Sequence, residues 1–254
     1  MKTKAIGLAG VVALLMQIGC ISSAVMDTGR VLEEGERKTT SGFSAGIQQG
    51  AMVPYEVPET GESIPDAAGG RYPPFTQQLE WMVRSMRGVG GGMQVDLGIV
   101  APMPLGLGLE AGLKWQLPVG GDLVALAVAT RGGGTFAGFG DLDDGVALIG
   151  GLIDGGIIAS LHPHRDHAIY ISPRARLDGV YHRGWSGGRA RGATGRGLSW
   201  GSALGWRIGT FGRGSYFIES VVIHSPNPDG EDGLRVTFGL GVREDPERAG
   251  YLPW

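Results

Sequence analysis

A single cysteine in 254 residues excludes an internal disulfide framework, so whatever stabilises this chain is not cross-linking. Charge of one sign is also missing. With 22 Lys and Arg against 25 Asp and Glu, the net charge of -3 gives the whole chain no electrostatic reason to bind nucleic acid. Long apolar runs are absent too: the longest, Ala5 to Ile18, has fourteen residues, short of the ~20 that a membrane-spanning helix needs. What the chain has in excess is glycine, 48 residues of 254 against a usual ~7%. Disorder does not follow, because 42% of the residues are hydrophobic. Interior glycines disfavour helix by about 1 kcal/mol each, which leaves an all-β architecture in which many positions want no side chain.

The N-terminus reads as an export signal. Lys2 and Lys4 form a basic start, the apolar run follows, and small residues come after it. Ile18-Gly19-Cys20 then resembles a bacterial lipoprotein signal, in which a small residue precedes a cysteine that takes a diacylglycerol on its thiol. That resemblance implies residues 1–19 as the signal peptide, residues 20–37 as a lipidated tether, and sorting to the outer membrane with the N-terminus on the periplasmic side. Gln17 departs from the aliphatic residue usual in such signals. The alternative is ordinary secretory cleavage after Ala24, with Ser22 and Ala24 as the small residues.

From Thr39 onward the dominant signal is alternation. Leu105, Leu107, Leu109, Ala111, Leu113, Trp115 and Leu117 share one face of a strand, while Gly106, Gly108, Glu110, Gly112, Lys114 and Gln116 share the other. Ten such segments occur, which predicts a closed antiparallel up-and-down β-barrel of about ten strands over residues 38–254, spanning a membrane with its apolar face outward. Short connections alternate with longer ones near 51–76, 135–145 and 182–197, as expected of tight periplasmic turns and long outer loops. The competing expectation is a soluble periplasmic β-barrel lipoprotein with the apolar face inward around a small apolar ligand.

Asp27-Thr28-Gly29-Arg30-Val31-Leu32-Glu33-Glu34-Gly35-Glu36, with the run from Asp96 to Leu117, is similar to a loose group of uncharacterised bacterial outer-membrane β-barrel lipoproteins. The resemblance brings a location and a fold, and no activity.

Few residues suggest chemistry. Glu110, Lys114, Arg235 and Arg243 fall on the lumen face and are expected to pair there. Arg183, Arg189, Arg191 and Arg196 lie in a glycine-rich outer loop, where guanidinium groups could meet lipopolysaccharide phosphates or an anionic solute; the alternative is a flexible solvated loop whose charges keep it out of the membrane. His162, His164, Asp166 and His167 read as a polar hairpin turn in place of a metal site, since neighbouring side chains there diverge. Ser220 and His224 share a strand face but are ~13 Å apart, too far for proton transfer. Neither a catalytic site, a metal nor a cofactor is expected, apart from the lipid on Cys20. The expected role is structural, or that of a narrow pore.

Overall fold

The computed structural model describes residues 24–49, 55–56, 76–103, 106–119, 121–140, 144–164, 167–186, 189–209, 214–226 and 232–244. They form eleven strands and no helix: β1 (Arg37–Gln49), β2 (Tyr55–Glu56), β3 (Thr76–Gly90), β4 (Met93–Met103), β5 (Gly106–Gln116), β6 (Val124–Gly140), β7 (Asp144–His164), β8 (His167–Ser186), β9 (Arg189–Ile208), β10 (Ser215–Ser225) and β11 (Gly233–Glu244). Ten of these close a ring. Each pairs antiparallel with its neighbour in the ring, and β1 pairs with both β3 and β11, from Thr39↔Glu244 to Gln49↔Leu234, so the ten strands close on themselves. The short β2 adds to the outer stretch of β9, at Tyr55↔Gly195 and Glu56↔Thr194.

Alternation sets which face points where. In β5, Leu107, Leu109, Leu113 and Trp115 are 58%, 63%, 43% and 49% exposed, while Glu110 and Lys114 are buried. The same holds for Leu97 and Ile99 against Asp96, and for Phe238 and Leu240 against Thr237 and Arg243. Apolar side chains thus cover the outside and polar ones fill the inside. A soluble barrel around an apolar ligand requires the reverse, and that alternative is corrected here.

Tryptophans mark both margins of the apolar exterior. Trp115 and Trp206 lie near the ends of β5 and β9 where the chain enters β1, and Trp81 and Trp200 lie opposite Ala101 and His224 near the other ends of β4 and β10. From Met93, opposite Trp115, to Ala101, opposite Trp81, the strand climbs about 26 Å, or about 20 Å vertically at a tilt of ~40°.

The expected loop asymmetry is replaced by an asymmetry of strand length. Segments 135–145 and 182–197 are not long loops: β6 continues to Gly140, β7 begins at Asp144, β8 continues to Ser186 and β9 begins at Arg189. Their pairing runs on without interruption, as at Gly138↔Ala147 and Gly184↔Arg191, because a glycine-rich backbone can extend a ladder without side chains to bury. With 20 residues each, β8 and β9 rise well beyond β10, which has 11. Most of 51–76 lies outside the described residues, as does Cys20.

Candidate functional site

The lumen is occupied by the chain's own N-terminal segment. Residues 24–28 are buried there, although 20–37 reads in the sequence as a tether. The segment enters from the end where β1 begins, where the Gly35 N–H donates to the Gly88 carbonyl at 3.0 Å. Going back along the chain from there, the Leu32 N–H donates to Gln94 Oε1 (3.2 Å), the Val31 N–H to Gln116 Oε1 (2.9 Å) and the Gly29 N–H to Ser160 Oγ (2.9 Å). Asp27 then meets two cations, with its carboxylate 2.7 Å from Lys114 Nζ and 2.8 Å from an Arg243 amino group. Above it, the Val25 and Met26 N–H groups donate to the two oxygens of Glu219, each at 2.8 Å. Ala24 ends the described segment at mid-height, its carbonyl 3.4 Å from Arg131.

From Val25 to Leu32 the backbone of this segment is met by side chains of the barrel, as buried N–H and C=O groups require. Lys114 also donates to the Thr28 carbonyl (3.2 Å) and the Arg30 carbonyl (2.7 Å). Arg84 donates to the Val25 carbonyl (3.1 Å), and Arg243 donates to the Met26 carbonyl (2.9 Å) and to Thr40 Oγ1 (3.0 Å). Burial alone would raise the Asp27 carboxyl, but the ammonium of Lys114 and the guanidinium of Arg243 outweigh it and hold the group well below the usual carboxylate range.

Met26 shows how closely the segment fits. Its side chain is fully buried against the lumen faces of β1 and β11, where Gly42, Gly239 and Gly241 leave it room. A Cβ at Gly42 would stand 2.5 Å from Met26 Sδ, and one at Gly239 would stand 2.7 Å from its Cε. The residue also has φ of 42°, a left-handed conformation that costs a non-glycine residue roughly 1–2 kcal/mol and persists because its surroundings hold it.

Around the segment the lumen carries ion pairs and an apolar patch. Arg84 lies 2.7 Å from Glu110 and 3.7 Å from Asp96, Arg174 lies 2.6 Å from Asp154, and Arg176 lies 2.7 Å from Asp178. Val25 and Met26 pack in a cluster with Met82, Tyr170, Phe217 and Val221. The Arg243 guanidinium sits 4.8 Å from the Phe217 ring centre, within cation–π range. Between Val25, Asp27, Lys114, Arg131 and Asp154 a cavity of about 20 Å³ remains, room for about one water molecule.

The residues singled out in the sequence divide between lumen, rim and exterior. Glu110, Lys114, Arg235 and Arg243 all lie in the lumen, and Arg235 donates to Gln48 Oε1 at 2.8 Å. Lys114 and Arg243 meet through Asp27, and Glu110 through Arg84. Arg183, Arg189 and Arg191 belong to the rising β8–β9 hairpin, their side chains outside the described set, and Arg196 is exposed on β9. His164 and His167 face each other across β7 and β8 with ring centres 6.1 Å apart, while Asp166 is outside the described residues. Ser220 and His224 lie on the outward face of β10, with His224 Nε2 3.0 Å from Asp232. Among the described residues no three His, Cys, Asp or Glu side chains come together as metal ligands.

The sequence reading missed Asp27, Arg84, Tyr170 and Glu219, and also a Ser-His pair. Ser160 Oγ is 2.8 Å from His162 Nε2, two residues along one strand face. The hydroxyl is already engaged by the Gly29 N–H, and His162 Nδ1 has no hydrogen-bond partner among the described residues, so the group that would orient a general base is not assembled. Alternation could have placed Arg84 and Glu219 on the lumen face; nothing local marks Asp27.

No known family profile matches the chain, and no curated protein does either. Among solved structures it is similar to the outer membrane protease OmpT of Escherichia coli, at 7% identity and TM-score 0.46 over 86% of this chain and 100% of that one. It is also similar to the translocator domain of the autotransporter NalP of Neisseria meningitidis, at 12% identity and TM-score 0.41 over 96% and 97%. The attachment invasion locus protein Ail of Yersinia pestis follows at 11% identity and TM-score 0.30 over 83% and 99%. The architecture assigned here rests on the chain's own strand register and on the direction of its side chains.

Proposed function

We propose that the protein is a bacterial outer-membrane barrel closed by its own N-terminal segment, with a structural role and neither catalysis nor solute conduction. The observation that carries this is the occupied lumen: residues 24–28 are buried across it and Asp27 ties β5 to β11 through Lys114 and Arg243. An apolar exterior bounded by tryptophans and an export signal support the membrane location. The rising β8–β9 hairpin, with Arg183, Arg189, Arg191 and Arg196, would then stand on the outer face against lipopolysaccharide phosphates.

Anchoring by a diacylglycerol on Cys20 in the periplasmic leaflet is the proposal the signal resemblance supports. Residues 24–32 limit it, because Cys20 lies within four residues of Ala24, at most ~14 Å of chain from mid-lumen. A docked segment and a periplasmic lipid on Cys20 therefore compete.

Two measurements test the closed barrel. The protein should co-purify with outer membranes, require detergent after Cys20→Ser, and migrate faster on gels before heating than after. Reconstituted in a planar bilayer, it should stay closed, and deletion of residues 24–32 should open it. A closed deletion variant, or a wild type that conducts as a steady pore, would show that the segment is not the plug.

A further inference from the structure

Glu219 differs from the other carboxylates at this height of the lumen. Asp96, Glu110 and Asp154 each have an arginine within 4 Å, and Asp27 has both Lys114 and Arg243. Glu219 is equally buried, yet among the described residues no Lys, Arg or His nitrogen lies within 4 Å of it; Arg174, paired with Asp154, acts on it only from beyond that distance. Its partners are three uncharged donors: the Val25 N–H at 2.8 Å on Oε1, and on Oε2 the Met26 N–H at 2.8 Å and the Tyr170 hydroxyl at 2.7 Å. A buried carboxylate without a counter-ion in contact is costly.

The sequence offers a cation at that position. Ser22 and Ala24 stand three residues and one residue before the bond Ala24–Val25, after the basic start and the apolar run, which is the arrangement a leader peptidase cuts. Hydrolysis there consumes one water. The Ala24 carboxylate leaves with the leader, and the freed Val25 amine takes up a proton. The nitrogen that becomes charged is the one already 2.8 Å from Glu219 Oε1. We propose that the exported chain is cut between Ala24 and Val25 and that the new α-ammonium of Val25 is the counter-ion of Glu219.

Two further observations agree. Tyr170 reaches Glu219 because Gly205 across the sheet has no side chain, since a Cβ there would collide with the tyrosine ring, and its hydroxyl holds the carboxylate from the barrel wall. The Ala24 carbonyl, which departs with the leader, is 3.4 Å from an Arg131 amino nitrogen, at the long end of hydrogen-bond range. Cutting at Ala24 also removes the conflict between a lipid on Cys20 and a docked segment, because Cys20 is discarded.

The inference rests on the closed-barrel reading, and the bilayer measurement above tests that reading separately. The full-length gene is expressed in a host with an outer membrane, the folded barrel is purified in detergent, and its intact mass is measured. The mass of residues 25–254 with a free amine is expected; a chain beginning with diacylglyceryl-Cys20, or at any other residue, overturns the proposal. The pairing is read by limited acylation with a small anhydride at about pH 6.5, more than one unit below the ordinary α-amino pKa of ~7.7–8.0. A carboxylate partner that raises the amine's pKa by one unit slows its acylation about tenfold. We expect the Val25 amine to react at least ~10-fold more slowly in the folded barrel than in the denatured chain, and to lose much of that protection in Glu219→Gln. Equal rates in folded and denatured wild type, or undiminished protection in a folded E219Q, overturn the pairing; if E219Q does not assemble, the wild-type comparison decides alone.

Discussion

Replacing Asp27 by alanine should open the barrel. Asp27 Oδ2 lies 2.7 Å from Lys114 Nζ and Oδ1 lies 2.8 Å from Arg243, and all three side chains are buried. Removing the carboxylate leaves two cations facing each other without an anion. Breaking a buried pair in this way costs about 3–5 kcal/mol. In D27A that cost falls on the docked state alone, because an undocked segment exposes both cations to lumen water. A change of about 4 kcal/mol shifts the docking equilibrium by roughly a thousandfold. Single-channel recording in planar bilayers should show rare, brief openings for wild type and long openings for D27A. Lys114→Met in the same chain should restore part of the closure, since it removes one stranded cation. Acid should act through the same group. The folded-state pKa of Asp27 is depressed, so its contribution is complete above the ordinary carboxylate range and is lost only as pH falls through the lower folded value. Wild type should therefore stay closed from pH 8 down to pH 5 and open only in stronger acid. A D27A barrel with native gel mobility and wild-type silence would refute the reasoning, for the segment would then be held without the charge that its geometry makes central.

Three further outcomes follow from the same structure. Gly29→Ala places a Cβ into the Ala125 carbonyl, so overpacking of about 1–3 kcal/mol should increase channel openings without lowering the barrel's resistance to heat. Leu109→Arg puts a charge in the middle of the lipid-facing side of β5 and should cost about 2–4 kcal/mol of folding stability in vesicles, read as a smaller fraction with native gel mobility in a urea titration. Arg84→Met leaves Glu110 and Asp96 together with only the more distant Arg131, 4.0 and 3.8 Å away; the midpoint of urea unfolding should fall by the equivalent of about 1–3 kcal/mol, and a further Glu110→Gln should recover part of it.

The barrel itself was legible because its signal is local. Each strand states its two faces in consecutive residues, as Leu107 to Trp115 do, and ten such statements with short connections close a ring. The lumen position of Glu110, Lys114, Arg235 and Arg243 follows from the same alternation. The lengths of β6 to β9 were not legible, because a stretch such as Arg183 to Gly197 has the composition of a loop and becomes a strand only through pairing with a partner that also continues. The plug was least legible of all. Residues 24–32 have no period, and their partners are distant in sequence: Asp27 is 87 residues from Lys114 and 216 from Arg243. Glu219 sits among Phe217, Val221 and Ile223, where one acidic residue gives no sign that two backbone amides from the far end of the chain will reach it.

The three glycines around Met26 give the barrel's composition a different meaning. Gly42, Gly239 and Gly241 belong to the two strands whose pairing closes the ring, and together with Met26 they share one fixed volume. Side-chain bulk can move among these four positions but cannot be added to them. A larger residue at 42, 239 or 241 requires a smaller one at 26, so the seam of the barrel and the segment inside it change as a single packing unit.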